Sequence, residues 1–551
     1  MRSIRTHSTL QININLDRVL KQSILGMVPG KGPQLLIILV FITAAFIRCG
    51  SGDIESAGKT DRKPVIEPDY TDVTIPPNVA PMNFCIKEEG SLFKVIATSA
   101  TSGYQIKVNS WNGIIRFPEK SWKKLLEDCK GDKIGIRIFS YNKDKRMLEG
   151  YNSFSMNVSE DQIDPYLVYR LIYPGYYSWS HIKIVQRSIE SFEEKSVFDN
   201  EIMEKNCANC HSFNRNSADR FMMHVRGSLG GTYFYEDGKV KRVEPKIDAM
   251  PGGATYPSWH PGGRYVAFSS NQVRQSFYSI PEKSIEVFDL VSALVVYDRK
   301  NNETISVTDK DTTKYLQTFP SWSPDGKYLY FCRAPQNISS SNPELEQIMK
   351  THYDLARKSF DPESRTSGET EIVFNAAAIN KSVSFPRVSP DGKYLVFTLS
   401  DYGTFPIWHK EADLYLLDLR NGASQKMNIN SDRTESYHTW SLNGKWLVFS
   451  SKRLDGRSAR PYFAHIDSLG NQGKEFALPQ KDPSLYSRML ESFNIPEFVN
   501  GMIKLRPRDL AAASKQVAIK AKSGNPSAAD AKQTEAKKDA GLKENERPIH
   551  E

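Results

Sequence analysis

At 551 residues the chain is too long for one ordinary domain, and 39% hydrophobic with 11% aromatic residues is ample for folded cores. A formal net charge of +9 over 25% charged residues of both signs, with no dense Lys/Arg stripe among aromatics, argues against nucleic acid as a partner. Six cysteines are too few for a disulfide scaffold of this size.

The N-terminus sets the compartment. Leu35 to Ile47 is an apolar run of signal-peptide length, short for a bilayer span, and it ends at Arg48-Cys49-Gly50-Ser51-Gly52-Asp53. A Cys just past such a run, followed by small and acidic residues, has the form of a lipoprotein signal with Cys49 as the lipidated residue. Arg48 departs from the usual small residue before that Cys. Met27 is the better start for the signal, and an uncleaved membrane anchor is the alternative. Either way the bulk of the chain is expected outside the cytoplasm, in the periplasm or at the outer membrane.

Residues 50–66 are polar and read as a tether. From 67 to 165 short β-rich runs alternate with turns: Met82–Ile86, Leu92–Thr98, Tyr104–Val108, Ile134–Tyr141 and Tyr151–Val158. One amphipathic stretch, 118–128, reads as a helix. This is expected as a β-sandwich-like domain without a catalytic cluster.

Residues 166–226 hold the run Cys207-Ala-Asn-Cys210-His211, the attachment signature of a c-type haem. Two thiols at this spacing reach the two vinyl groups on one porphyrin edge, and the next residue places its imidazole under the iron. A redox pair, half of a zinc site with His224 as a third ligand, and a structural disulfide are the other readings. Haem c is favoured, with Cys207 and Cys210 as thioethers and His211 as proximal ligand. His224 or Met222 is the expected distal ligand, against core packing for Met222 and Met223 and a hydrogen-bonded role for His224.

Four segments then line up: Thr255-Tyr-Pro-Ser-Trp-His-Pro-Gly-Gly, Thr318-Phe-Pro-Ser-Trp-Ser-Pro-Asp-Gly, Ser384-Phe-Pro-Arg-Val-Ser-Pro-Asp-Gly and Ser436-Tyr-His-Thr-Trp-Ser-Leu-Asn-Gly. Each reads as a strand, a tight turn and a second alternating strand. Their recurrence, with further strands between, predicts a β-propeller over 227–480, of five or six blades. Tyr256, Phe319, Phe385 and Tyr437 fall at the start of the innermost strands, either packed between blades or lining one channel mouth. His260, in the place of a turn Ser, reads as structural. Residues 481–505 are expected as a helical extension and 506–551 as a disordered tail.

The repeats resemble TolB-type propeller repeats. With Pro68-Asp-Tyr-Thr-Asp-Val-Thr-Ile-Pro-Pro-Asn78, Asp164-Pro-Tyr-Leu-Val-Tyr-Arg-Leu-Ile172, Asn206 to Phe213 and Ile285-Glu-Val-Phe-Asp289, the chain resembles exported proteins of Gram-negative bacteria described as TolB-like with a cytochrome c motif. The resemblance implies a haem motif directly ahead of a propeller and supplies no reaction. The expectation is therefore a mainly β, lipid-anchored envelope protein whose propeller scaffolds a covalent haem c for electron transfer with a redox partner. The alternatives are a non-enzymatic envelope binding protein, with the two thiols structural or metal-bound, and a haem enzyme. No Gly-x-Ser-x-Gly elbow is present and too little chain follows the repeats for an α/β-hydrolase domain.

Overall fold

The computed structural model describes residues 57–524, apart from 145, 174–180, 280–282, 310–313 and 339–344. Cys49 and the apolar run before it lie outside the described residues, as does 525–551. Among the described residues no helix is long and apolar enough to cross a membrane.

Residues 57–165 form a seven-stranded sheet and a three-stranded sheet, with the amphipathic helix Glu119–Asp128 where the sequence places it. The helix buries Trp122, Leu125 and Leu126 on one face, and the Trp122 indole donates to the Val79 carbonyl at 3.2 Å. This unit is not an independent body on a tether. Its core runs on into Trp446, Phe463, Phe493 and Phe498 of the propeller, and the Trp446 indole donates to the Asp161 carbonyl at 3.1 Å.

The propeller has six blades, each an antiparallel sheet. The four repeats supply the inner strands of blades 3 to 6, namely Ala254–Trp259, Tyr315–Trp322, Ser382–Val388 and Glu435–Trp440. Residues 166–226, expected as a segment ahead of the ring, lie within it. Tyr166–Ile172, Ile182–Ser188 and Glu194–Asp199 are the three outer strands of blade 1. Cys207–Phe213 is the inner strand of blade 2, followed by Arg220–Arg226, Gly231–Glu236 and Lys239–Glu244.

The C-terminal expectation also changes. Between 481 and 505 only Leu485–Arg488 is helical. Ser492–Val499 is instead the inner strand of blade 1 and pairs antiparallel with Tyr166–Ile172, so the first and last strands of the propeller close the ring. Residues 506–524, expected as part of a disordered tail, are ordered. Its helix Pro507–Ser514 buries Leu510 and Ala513, and Ile519–Lys520 and Lys522–Ser523 extend the outer edges of blades 2 and 3 as parallel strands. The reason is local chemistry: Leu505, Leu510 and Ala513 give an otherwise polar stretch an apolar face, and the unpaired edges offer it backbone partners.

Two recurring devices hold the blades. In each Ser-Pro-Asp-Gly turn the Asp carboxylate accepts from the Ser hydroxyl and from the backbone N–H two residues on, as for Ser323, Asp325 and Lys327. The Trp ending the inner strand donates its indole N–H to the preceding blade at 3.1 Å: Trp259 to Ser212, Trp322 to Ser258 and Trp440 to Arg387. His260 does the work of the turn Ser, accepting from the Gly262 N–H at 3.1 Å, with its ring against Trp322.

Candidate functional site

The register of the sheets aligns the six inner strands around one channel. Each bulges after a small polar residue: the pairing skips after Thr255, Thr318, Ser384 and Ser436, and at Ile495-Pro496 on the closing strand. Tyr256, Phe319, Phe385, Tyr437 and Ile495 occupy the bulge with φ between 46° and 53°, a left-handed conformation unusual for such bulky residues. The bulge turns these side chains into the channel.

The strand Cys207–Phe213 bulges in phase with the others, between Ala208 and Cys210. Asn209-Cys210-His211-Ser212-Phe213 therefore corresponds to Thr255-Tyr-Pro-Ser-Trp259 and to Ser436-Tyr-His-Thr-Trp440. By repeat alignment Cys210 corresponds to the bulge aromatics and His211 to the proline, a position His438 also fills in blade 6, although here the pairing skips Asn209 and Cys210 pairs with His224.

The four channel aromatics neither separate the blades nor ring an open mouth. They pack on one another across the channel, edge to face for Tyr256–Phe319 at 4.4 Å and Phe385–Tyr437 at 4.9 Å between centroids and tilted for Phe319–Phe385 at 4.1 Å. Below this plug a void of about 30 Å³ is walled by His211, His438, Arg387 and Glu497. Arg387 and Glu497 also border a wider hollow of about 350 Å³ at the turn end of the ring, with Trp259, Trp322 and Trp440 in its walls.

The neck is chemically uneven. His211 is buried, and burial with Arg170 nearby brings its pKa down to about 3 against the pull of the Ile495 and Val168 backbone. His438 is likewise brought down to about 3 by burial, and its Nε2 lies 2.9 Å from the Val396 carbonyl. That contact needs the proton on Nε2 and leaves Nδ1 as a lone pair in the neutral ring. Desolvation pushes the Glu497 carboxyl up to about 7, against the pull of Arg387 and of the Phe213 N–H at 3.2 Å. The neck thus offers neutral imidazoles, a carboxyl that titrates near neutrality and one guanidinium.

The remaining sequence candidates gather on one hairpin but not on one face. Across the sheet Cys210 pairs with His224, His211 with Met223, and Ser212 with Met222. Met222 and His224 thus share one face and His211 the other. Met222 packs between blades 2 and 3 against Trp259 and Phe268. His224 has Nδ1 at 3.1 Å from the Thr232 hydroxyl, and burial brings its pKa down to about 3. Cys207 is half-buried against the core between blades 1 and 2, while Cys210 is placed by its backbone alone.

These positions bear directly on a haem. The donor types and their spacing suit a c-type haem. Yet the void at the His211 ring has room for about one water, whereas a cofactor site needs on the order of 300 Å³ or more. The ring with its six inner strands in place does not accommodate a porphyrin on His211. Nor do Met222 or His224 face it from across such a plane. Among the described residues no group of three or more His, Cys, Asp or Glu is arranged to hold a metal ion.

Sequence reasoning missed Arg387, His438 and Glu497. Their signal is departure from the repeat: Arg387 and Glu497 stand where two repeats have Ser, and His438 where three have Pro.

No family model and no curated protein matches the chain. Matching solved structures include TolB from Acinetobacter baumannii, 12% identical over 69% of this chain and 85% of that one, with a TM-score of 0.38. Others are the β-propeller domain of the Trilobed protease from Pyrococcus furiosus (11%, 76% and 99%, 0.30) and an oligogalacturonate lyase from Vibrio parahaemolyticus (11%, 62% and 100%, 0.31). Likenesses this distant carry no activity across, and the six-bladed ring rests on its own sheets.

Proposed function

We propose that the chain is an exported binding protein of the cell envelope whose small ligand enters from the turn end and is held at the neck by Arg387 and Glu497. The observation that supports this reading is the hollow of about 350 Å³, open to solvent, with a guanidinium and a titrating carboxyl at its floor. Its walls mix indole and proline surface with hydroxyl and charged groups, and convergent polar groups in a concave hollow fix the orientation of a small molecule. The Trp259, Trp322 and Trp440 indoles line it, so their fluorescence reports occupancy. Titration with succinate, glutamate, lysine and putrescine should give a saturable change with at least one of them, lost in Arg387→Met. No saturable response to any of the four counts against the reading.

Export rests on the apolar run from Leu35 to Ile47, and a lipid anchor on Cys49 would make the membrane a partner. In fractionated cells, Cys49→Ser should move the protein from the membrane to the soluble envelope fraction.

Covalent haem c is the second reading, favoured by the buried, neutral His211 beside two thiols at attachment spacing. Bound there, the haem would supply one-electron chemistry for a redox partner. Cys207 and Cys210 would hold its edge and His211 its iron. It requires the inner strand of blade 2 to leave the ring, exposing the face that His211 now buries. Protein co-expressed with a haem-attachment system and then denatured should show a pyridine haemochrome under this reading, lost in the Cys207→Ala/Cys210→Ala variant. A haemochrome-negative wild type removes it.

A further inference from the structure

The end of the channel that the aromatic plug fills, its collar, is covered. Strands Tyr265–Phe277 and Ile285–Asp298 of blade 3 are far longer than their counterparts and continue past the sheet as a two-armed hairpin. Ile285 and Val287 of this hairpin pack in the same core as Phe319, Phe385 and Tyr437. Phe288 packs on Ile338 and Ile348 of blade 4 and on Tyr402 of blade 5. The hairpin thus reaches from blade 3 over the aromatic plug to blade 5.

At its far contact lies an ionic cluster that the proposed ligand site does not use. Glu286, on the hairpin, has Oε2 at 3.1 Å from His409 Nε2, and the other ring nitrogen of His409 is 3.1 Å from Glu411. The Glu286 and His409 side chains are 0% and 1% exposed. Tyr402 donates to Glu286 at 3.3 Å, and Lys283 lies 3.3 Å from the same carboxylate and over the Tyr402 ring. Behind Glu411, the Asp401 N–H donates to it at 3.3 Å, and Asp401 itself pairs with Lys381. Tyr278 on the opposite arm also feels the Glu286 charge. Lys452 sits over the neighbouring Trp408 ring at 3.2 Å.

We propose that hairpin arms 271–278 and 283–289 form a lid over the collar end of the channel, clamped by Glu286–His409–Glu411 and released when His409 loses its proton. An imidazole can donate to two carboxylates only as the cation. Once neutral, it drops one of them. Glu286 is the partner to part: Lys283 rides on the same hairpin, so once His409 lets go its tie to blade 5 is the 3.3 Å Tyr402 contact, and its Oε1 is buried without a hydrogen bond. A buried carboxylate that loses a counter-charge is costly to keep out of water, and Glu286 is carried by the hairpin, not by the blade. Burial opposes the charged imidazole, but the two carboxylates outweigh it and raise its pKa above the ordinary histidine value. The clamp is therefore complete below about pH 6.5 and weakens as pH rises through the raised value.

Hydrogen exchange of the full-length protein between pH 6 and 9, normalised to unstructured-peptide rates at each pH, tests this. Amides of 283–289 should lose up to roughly tenfold protection per pH unit above the imidazole value in wild type. Amides of Tyr394–Ser400 in blade 5 should keep theirs. In His409→Gln and Glu286→Gln the lid amides should be weakly protected at every pH. A flat wild-type profile overturns the proposal, as does a variant that keeps the wild-type pH dependence. If either variant fails to fold, the wild-type profile and the other variant decide.

Discussion

His211, His438 and His224 are imidazoles for which burial outweighs every partner, and each has its pKa brought down to about 3. In the unfolded chain they titrate near 6.5. As pH falls below that value the unfolded state takes up protons that the folded state refuses, so stability drops. Each histidine contributes a slope of about 1.4 kcal/mol per pH unit between roughly 6 and 4. Glu497 works in the opposite sense. Its folded carboxyl keeps a proton up to about 7, so it favours the fold below its unfolded value near 4.5 and loses that contribution as pH rises to 7. The histidines win by number, and guanidinium unfolding should show stability falling from pH 6.5 to 5. His438→Gln should flatten that fall by about 1.4 kcal/mol per unit; an unchanged slope would contradict its burial as a neutral base. None of this was legible residue by residue. A histidine in a Cys-x-x-Cys-His run and one in a Tyr-His-Thr run look unrelated until the repeat phase puts both at the proline position of an inner strand.

At the scale of elements, the turns were legible because their chemistry is local. Ser-Pro-Asp-Gly carries its own hydrogen bonds and its own left-handed glycine, with φ of 75° at Gly326 and 73° at Gly392. The two glycines separate backbone strain from contact. A methyl group at Gly392 meets nothing within 4 Å, so Gly392→Ala should cost only about 1 kcal/mol for its conformation. At Gly326 the same methyl comes within 2.3 Å of the His260 ring, which is wedged against Trp322. Gly326→Ala should therefore cost about 1–3 kcal/mol more, and melting temperatures of the two variants check the order. The collar aromatics were legible as inner-strand residues. Their mutual edge-to-face packing was not, since it depends on bulges that turn strands from different blades toward one axis.

The whole molecule is closed by pairing between residues about 300 positions apart in sequence. Ending the chain at Glu491 removes the inner strand of blade 1, uncovers its edge and takes Phe493 and Phe498 from the core shared with the N-terminal unit. That truncation should yield no soluble folded protein. Ending it at Leu505 removes only the helix and the two short edge strands, and should leave a folded ring of lower melting temperature. Circular dichroism of the two truncations distinguishes closure from clasp.

By itself the sequence determined what short-range chemistry encodes: strands and turns in phase over four repeats, the amphipathic helix, an apolar run followed by Cys49, and a thiol–thiol–imidazole spacing suited to haem. Only the tertiary structure decided that the ring has six blades, because the inner strand of blade 1 is not followed by its turn and that of blade 2 carries Asn214-Arg-Asn216 in place of Pro-Asp-Gly. It likewise decided that Cys207 to His211 is an inner strand facing the channel, not a connector ahead of the ring. The physical reason is the same in both cases. A motif states which groups are near one another along the chain, whereas which face they take, and how much room lies beside them, is set by strands that arrive from elsewhere.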